Sequence, residues 1–325
     1  MDRTIAVAGA TGFVGRYIVR ELLARGIAVR ALVREREKAR KALPRDERLQ
    51  TVLGEATDPT AAAALVGGST ACINAIGILR ETWKTSFRAA HIQTTRSLVT
   101  ACRAAGVDRF VQISALGVSD EGKTGYQQSK FEAEQIVRRS GLAWTILRPS
   151  LIHGRESEFM HIAKGWVTGS KQPWFFMPYF SRGVLTSGVP LAAIRREPAE
   201  IAPVAVEDVA IAAAESLVRP EAIGEVYNLV GPDTMPWPAL LRAVQAAVPG
   251  ANEDLDPLGI PSEAAAIQAR VAKHLGIGGL LPFDEGMAVM GASDSTASLD
   301  KARAQLGFDP RPFCASLRSY AAAIA

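Results

Sequence analysis

The stretch AVAGATGFVGRYIV, residues 6 to 19, places three glycines between a strand-like run and an amphipathic helical pattern. Gly9, Gly12 and Gly15 fall where the predicted strand turns into the predicted helix. A backbone that passes close to a pyrophosphate cannot carry side chains, and the helix N-terminus behind it offers free N–H groups and a favourable dipole. The spacing is GxxGxxG rather than GxGxxG, but its position indicates a dinucleotide-binding loop. The alternative is a tight turn that binds no ligand.

The first 150 residues alternate between short apolar runs and helical patterns. Buried parallel strands are predicted over residues 4–8, 27–33, 70–76, 109–114 and 143–148. The helical patterns end at Gly26, Gly106 and Gly141, which are suitable C-terminal caps. This repetition of βαβ units predicts an α/β fold with a doubly wound parallel sheet of the Rossmann type.

Two regions with different patterning predict a core and a smaller C-terminal substrate lobe. The nucleotide-binding core is expected over residues 1–150, completed by about 200–231, where the strand and helix patterns return. Residues 151–199 and 232–325 are expected to form the smaller substrate or interaction lobe. Its aromatic cluster, PWFFMPYF at residues 173–180, either lines an apolar binding surface or forms the core of the lobe.

Composition excludes several classes of protein. A net charge of +4 over 325 residues, with no tract both basic and aromatic, argues against nucleic acid as a partner. Cys72, Cys102 and Cys314 are far apart, which argues for a reducing compartment and against a metal site. With no leader pattern and no run of about 20 apolar residues, a cytoplasmic protein without a membrane span is expected.

Basic residues follow the second predicted strand. NAD-binding chains usually carry a carboxylate there, whereas this chain has Arg34, with Arg36 two residues on. Guanidinium groups suit the additional phosphate of NADP(H), so NADP(H) is predicted rather than NAD(H). Glu35 is an alternative acid at this position, and a solvated basic helix start is the alternative without a ligand.

Three polar residues form the predicted catalytic set. Tyr126 and Lys130, in the stretch YQQSK, are four residues apart and therefore share a helix face. A tyrosine with a pKa of about 10 needs a neighbouring cation to work near neutral pH. Ser114 ends a predicted strand, where open α/β sheets bind their ligands. The alternative is that the three residues share no site.

The motifs GATGFVG, INAIG, ISALG, YQQSK, LRPSLIHG and PVAVEDVA occur in this order. In this combination the chain resembles the short-chain dehydrogenase/reductase superfamily, in its extended and atypical branches. It is most similar there to bacterial relatives of the nucleotide-binding accessory subunit of respiratory complex I. The resemblance implies that Tyr126 is a general acid or base toward a carbonyl or alcohol. It implies too that Lys130 lowers the pKa of Tyr126 and holds the nicotinamide ribose, and that Ser114 orients the substrate oxygen.

The resemblance also implies a set of cofactor contacts. These are Gly9, Thr11, Gly12, Phe13, Val14, Gly15, Arg34, Asp58, Asn74, Ala75, Ile76, Lys130 and Pro149. The sequence departs from the extended pattern at His91, where an asparagine is usual, and at His153, where a tyrosine is common. These departures leave cofactor binding intact and argue against a nucleotide-sugar epimerase.

Three functions remain open from the sequence. The first is an NADP(H)-dependent oxidoreductase acting on a carbonyl or alcohol of a small, apolar or quinone-like substrate. The second is an NADPH-binding structural or assembly factor without turnover, and the third is an NAD-dependent nucleotide-sugar epimerase or dehydratase. A peripheral contact with a membrane or a respiratory complex, and a monomer or a homodimer, are all compatible with the resemblance.

Overall fold

The computed structural model describes residues 3–185, 194–276, 281 and 283–324. The chain divides into two compact units. The first comprises residues 1–149, 204–230 and 297–310, and the second comprises residues 150–203, 231–296 and 311–325.

The strands are β1 Thr4–Ala8, β2 Ala28–Val33, β3 Leu49–Leu53, β4 Ala71–Asn74, β5 Arg109–Ile113, β6 Ala143–Pro149, β7 Ile152–His153, β8 Met177–Leu185, β9 Ile194–Pro198, β10 Glu200–Ile201, β11 Val204–Ala205, β12 Glu225–Leu229, β13 Met235–Pro236 and β14 Pro257–Pro261. The α-helices are α1 Phe13–Ala24, α2 Arg36–Ala42, α3 Pro59–Val66, α4 Thr94–Ala105, α5 Gly125–Arg138, α6 Glu158–Val167, α7 Val206–Ser216, α8 Trp237–Ala247, α9 Ser262–His274, α10 Glu285–Gly291, α11 Asp300–Leu306 and α12 Phe313–Tyr320. A π-helical segment, Arg88–Gln93, precedes α4, and short 3₁₀ turns span Pro220–Ala222 and Ala321–Ala323.

A seven-stranded sheet in the order β12-β6-β5-β4-β1-β2-β3 forms the centre of the first unit. All its neighbouring strands pair in parallel. The strand order reverses between β1 and β4, and such a switch point is where open α/β sheets bind ligands, at the carboxyl ends of the strands. The predicted α/β class with a doubly wound Rossmann sheet is therefore confirmed.

Apolar runs explain the central strands and the helices that cover them. β1, β4 and β5 consist almost entirely of buried residues, so both faces of the sheet are covered. On α1, the side chains of Ile18, Val19, Leu22 and Leu23 form the buried face. α4 ends at Gly106, whose φ of 67° is the left-handed conformation that a glycine cap adopts without strain. Local patterning thus places the core of this unit.

The sequence analysis missed several elements of the first unit, among them β3 and α11. β3 is the edge strand, and Gln50, Thr51 and Leu53 are exposed, so no apolar run marks it. α11 belongs to the first unit, whereas the sequence had grouped residues 232–325 with the smaller lobe. A hydrogen bond of 2.8 Å from Tyr227 Oη to Gln305 Oε1 joins α11 to β12. The two residues are 78 positions apart, so local sequence patterns cannot predict this contact.

The second unit has its own small sheets and core. β14 pairs in parallel with β8, which pairs antiparallel with β9, and β10 pairs antiparallel with β13. The aromatic cluster at 173–180 divides between core and surface: Met177 is fully buried, whereas Phe175 is 82% exposed. Phe180 packs edge-on against Phe283, with ring centroids 5.2 Å apart. Within the described ranges, none of the helices combines the length and apolar character that crossing a membrane needs.

Candidate functional site

The glycine loop joins β1 to α1 through a backbone turn. Gly12 caps the helix, and its N–H donates to the Gly9 carbonyl at 2.9 Å. The first N–H groups of a helix have no partner within it, and the first turn of α1 contains no acidic residue. The backbone of Phe13, Val14 and Gly15 therefore offers donors and a positive dipole end to an anion.

Close backbone packing explains why glycines occupy this loop. Gly9 has a φ of 80°, and a Cβ there would lie 2.9 Å from backbone atoms of Ala75 and Ile76. A Cβ on Gly15 would overlap the Gly9 carbonyl oxygen. The strand, the turn, the helix and the loop after β4 thus approach one another as a dinucleotide-binding turn requires. These residues fit a pyrophosphate.

Two of the predicted cofactor contacts, Arg34 and Asp58, lie on the surface. Arg34 follows β2 and is exposed. The neighbouring Glu35 carboxylate pairs with Lys38 Nζ at 2.7 Å, and that hydrogen bond holds the pKa of Glu35 below its usual value. Asp58 caps α3 by accepting the Thr60 N–H at 2.9 Å. Arg34 is thus exposed at the end of β2 beside a carboxylate that is already paired, while one Asp58 oxygen serves the fold.

Asn74 is buried and bonded entirely within the protein. Its Nδ2 donates to Thr95 Oγ1 at 3.2 Å and to Gln112 Oε1 at 3.1 Å. Its Oδ1 accepts the Ile76 N–H at 3.1 Å, and the Ala75 N–H donates to the Ala8 carbonyl at 3.0 Å. Asn74 therefore shapes the loop that faces Gly9, and in this structure its amide has no donor left for a ligand.

α5 carries the tyrosine and lysine. Thr124 caps it by accepting the Gln127 N–H at 3.2 Å. Lys130 is 4% exposed, and its Nζ donates to the Ile113 carbonyl at 3.1 Å, at the end of β5. Tyr126, one turn earlier, lies against Phe87 and His91, with ring centroids 5.9 and 5.6 Å away. The helix thus presents both predicted groups at the carboxyl edge of the sheet.

Burial changes the ionisation of both groups. It raises the pKa of the Tyr126 phenol to about 12. It lowers the pKa of Lys130 to about 8, against an opposing effect of the Glu134 carboxylate. The family resemblance implies that Lys130 lowers the pKa of Tyr126, whereas in this structure burial raises it, and the Lys130 ammonium donates to the Ile113 carbonyl.

Ser114 is part of a buried ionic network that the sequence did not reveal. Its Oγ donates to Glu134 Oε1 at 2.6 Å, and Arg148 donates to the same carboxylate through Nε at 2.8 Å and Nη2 at 2.6 Å. The Glu134 side chain is fully buried. A hydroxyl has one proton, so Ser114 presents lone pairs rather than its proton to any other partner. A carboxylate four residues after Lys130, on the buried face of the helix, was the available signal.

The remaining predicted residues have structural contacts. The Pro149 carbonyl, at the end of β6, accepts the Leu116 N–H at 2.8 Å. The Thr11 carbonyl accepts Arg16 Nη2 at 3.1 Å. Among the residues that the structure describes, no group of three or more histidine, cysteine, aspartate or glutamate side chains is arranged to hold a metal ion.

Comparisons with known proteins agree with this geometry. The family model described as NAD(P)H-binding matches residues 9–165. The ceramide reductase of Caulobacter vibrioides is 33% identical over 46% of this chain and 46% of its own length. Subunit 9 of the NADH dehydrogenase [ubiquinone] 1 alpha subcomplex from Rattus norvegicus mitochondria is 30% identical over 70% of this chain and 56% of its own length. The chain thus spans about half the length of these curated relatives.

A solved structure shares the fold over nearly the whole chain. The NADPH-dependent quinone oxidoreductase of Escherichia coli, complexed with NADPH, superposes with a TM-score of 0.67 at 20% identity, covering 97% of this chain and 99% of that one. The fold and the glycine loop define an NAD(P)H-binding α/β protein. Within that class, the order of the chain's motifs resembles the short-chain dehydrogenase/reductase superfamily, and over 70% of its length the chain is similar to the complex I accessory subunit.

Proposed function

We propose that this chain binds NADP(H) and is an oxidoreductase that acts on a carbonyl or alcohol of an apolar or quinone-like small molecule. One observation carries the proposal. The glycine loop after β1, the loop after β4, Ser114 after β5 and the Tyr126–Lys130 pair on α5 belong to one unit and follow the carboxyl ends of adjacent parallel strands. This is the edge at which doubly wound sheets hold nucleotide and substrate.

Each side chain has a separate task in this proposal. Bound NADPH would supply the hydride. Because its pKa is raised to about 12, Tyr126 is protonated near neutral pH and can donate that proton to a substrate oxygen. Lys130, with a pKa of about 8, keeps its ammonium near neutrality and donates hydrogen bonds from beside the Gly77 backbone. Ser114 offers acceptor lone pairs, since its proton is held by Glu134.

The preference for NADP(H) is part of the same proposal. Arg34 is exposed directly after β2, and the Glu35 carboxylate next to it is paired with Lys38. A free carboxylate at this position would repel a 2′-phosphate, whereas a guanidinium binds it through charge-assisted hydrogen bonds. We therefore expect NADPH to bind more tightly than NADH.

A second candidate is an NADPH-binding structural or assembly factor without turnover. Two features support it: the Ser114 proton is held by a buried carboxylate, and the pKa of Tyr126 is raised rather than lowered. The similarity to a mitochondrial NADH dehydrogenase subunit points in the same direction. In this case the nucleotide would stabilise the folded chain by mass action.

A nucleotide panel followed by a substrate panel separates the two candidates. Thermal unfolding is measured with NADPH, NADP⁺, NADH and NAD⁺, and NADPH is expected to give the largest increase in Tm. NADPH oxidation is then followed with ketones and quinones. Binding without oxidation of NADPH across that panel would select the structural factor. Tight retention of NAD⁺ with protection by nucleotide sugars would select an epimerase, and no response to any nucleotide would overturn the proposal.

Tyr126→Phe tests the proton donor. We expect turnover to fall by about a hundredfold or more, because general acid catalysis by a positioned side chain contributes about that much, while NADPH affinity is retained. Tyr227→Phe is the matched control: burial also raises the pKa of Tyr227 to about 12, but its hydroxyl donates to Gln305. If Tyr126→Phe turned over as fast as Tyr227→Phe, the assigned role of Tyr126 would be wrong.

A further inference from the structure

A chain of hydrogen bonds passes through the buried imidazole of His91. Its Nε2 accepts the Ile78 N–H at 3.2 Å, and its Nδ1 lies 2.8 Å from Ser129 Oγ. Ser129 Oγ in turn donates to the Tyr126 carbonyl at 2.9 Å. Because a serine hydroxyl has one proton, Ser129 must accept from His91 Nδ1. His91 is therefore neutral and protonated on Nδ1, a tautomer that the bond at each end enforces.

The surroundings of the ring keep it neutral. His91 is 1% exposed and stacks on Phe87 with centroids 5.5 Å apart, and it meets the Tyr126 ring edge-on. Burial, helped by the nearby positive charge of Lys130, lowers the pKa of His91 to about 2. Among the described contacts, the polar groups around the ring are those of Tyr126, Lys130, Ser129 and the Ile78 N–H. Both ring nitrogens are therefore engaged in hydrogen bonds within a site that favours the neutral imidazole.

The two ends of this chain belong to different parts of the site. Ile78 lies in the loop after β4, whose residues Ala75 and Ile76 face Gly9. Between them, Gly77 has no side chain; a Cβ there would lie 3.1 Å from Lys130 Nζ and 3.9 Å from His91 Nε2. The other end is the carbonyl of Tyr126 itself. His91 thus joins the loop at the glycine turn to the helix that carries Tyr126 and Lys130.

The backbone around His91 also contributes to holding the residue in place. It lies in the π-helical segment 88–93, a wider turn that is found frequently at functional sites. Thr95 Oγ1 donates to the His91 carbonyl at 2.6 Å and also accepts from Asn74, the residue that shapes the loop after β4. Side chain and backbone of His91 are therefore tied to the same loop by separate hydrogen bonds.

We propose that His91 is a positioning residue that fixes the Tyr126–Lys130 helix against the cofactor loop through its neutral Nδ1–H tautomer. The proposal rests on the proposed function for the task of the helix, and on the described contacts for how the helix is held. A histidine that merely filled space would need neither hydrogen bond, so its replacement by another aromatic ring would change stability alone. The two cases therefore differ in measurable ways.

The tautomer is tested on the wild-type protein without any ligand. With ¹⁵N-labelled histidine, the nitrogen resonances of His91 are assigned by their loss in His91→Phe, which keeps the ring packing. We expect a protonated Nδ1 and an unprotonated Nε2, unchanged from about pH 5 to about pH 8. An Nε2–H tautomer, or titration of His91 within this range, would overturn the proposal.

The coupling is tested with variants. In His91→Phe and in Ser129→Ala we expect NADPH to bind about tenfold more weakly. Each variant loses a hydrogen bond that holds α5, and the free energy of about one hydrogen bond corresponds to about a tenfold change in affinity. His91→Phe combined with Lys130→Met should be non-additive, because both changes act on the same helix. His153→Phe is the matched control: His153 is fully buried and bonded to Tyr320 in the second unit. Additive effects, or wild-type affinity in both single variants, would contradict the proposal.

The positioning role of His91 can be tested even if the proposed function is wrong. If the wild-type chain bound no nicotinamide nucleotide, the proposed function would fall, and amide hydrogen exchange would still decide the role of His91. We expect the Ile78 amide to exchange faster in His91→Phe than in wild type and to be unaffected in His153→Phe. Equal exchange of Ile78 in all three proteins would overturn the positioning role.

Discussion

The first turns of α1 and α5 both begin near the carboxyl ends of central strands, yet they are built in opposite ways. At α1 the site consists of backbone: Gly9, Gly12 and Gly15 keep side chains out, and no acidic residue lies in the first turn. At α5 it consists of side chains: the half-buried Tyr126 and the buried Lys130 have shifted pKa values, and Ser114 shares a hydrogen bond with the buried Glu134.

The two turns should therefore differ in how their stability responds to pH and to substitution. A backbone site has no titrating group and responds to the volume of a single methyl group. A site of buried charges responds to the loss of one partner and to protonation. Added volume should therefore destabilise the α1 turn, whereas loss of a charged partner or a change of pH should alter the stability of the α5 region.

The largest effect is expected for Glu134→Gln on the α5 side. Removing one partner of a buried ion pair leaves Arg148 without its counter-ion, so we expect the free energy of unfolding to fall by about 3–5 kcal/mol. Urea denaturation measures it. Glu132→Gln, an exposed position on the same helix, should change stability by less than about 0.5 kcal/mol. Similar losses in both variants would show that the Ser114–Glu134–Arg148 network is not a source of stability.

The buried Lys130 is expected to make the free energy of unfolding depend on pH. Its pKa is about 8 in the folded chain against an ordinary value of 10.5, so between these values the unfolded chain holds a proton that the folded chain has lost. Stability therefore rises with pH across this window, relative to a variant that lacks the amine. Comparing wild type with Lys130→Met by urea denaturation, we expect a gain of about 3 kcal/mol for wild type from pH 8 to pH 10.5. A constant difference over this window would refute the burial of a charged Lys130.

Replacing a glycine by alanine at each of the two turns should have different effects on stability. Gly15→Ala places a Cβ onto the Gly9 carbonyl oxygen, and overpacking of this kind costs about 1–3 kcal/mol in the free energy of unfolding. Gly125, at the start of α5, has ordinary room beside Phe87, so Gly125→Ala should be neutral or slightly stabilising. Thermal denaturation of both variants measures the contrast. Equal stability would mean that the α1 turn is not packed by backbone as described.

The smallest expected effect concerns the choice of nucleotide. Arg34→Ala removes the guanidinium after β2, and we expect NADPH affinity to fall about tenfold while NADH affinity is unchanged. Fluorescence titration with each nucleotide measures it. Arg45→Ala, which removes an exposed guanidinium further along the chain between β2 and β3, is the control and should alter neither affinity. An equal loss for both nucleotides would remove Arg34 from the recognition of the 2′-phosphate.

The same contrast explains how much the sequence could predict. The α1 turn was predictable because strand, glycines and helix are consecutive, and the central strands were predictable because they are continuous apolar runs. β3 lacks such a run because it is an exposed edge. The central sheet was therefore recovered from patterning, except for this one strand.

The α5 network was only partly predictable. Tyr126 and Lys130 could be paired by their spacing within one helix. The bonds from Ser114 to Glu134 and from His91 to Ser129 join residues 20 and 38 positions apart, and only the tertiary fold brings them together. Asn74 was predicted as a cofactor contact, but its amide is used by Thr95, Gln112 and Ile76. Motif spacing does not show which polar groups already form hydrogen bonds within the protein.

A crystal structure of the wild-type chain with NADPH tests the central claim most directly. We expect the pyrophosphate to lie against the N–H groups of Phe13, Val14 and Gly15, and the Tyr126 hydroxyl to lie beside the nicotinamide ring. Nucleotide bound away from α1, or crystals without nucleotide at saturating NADPH, would contradict it.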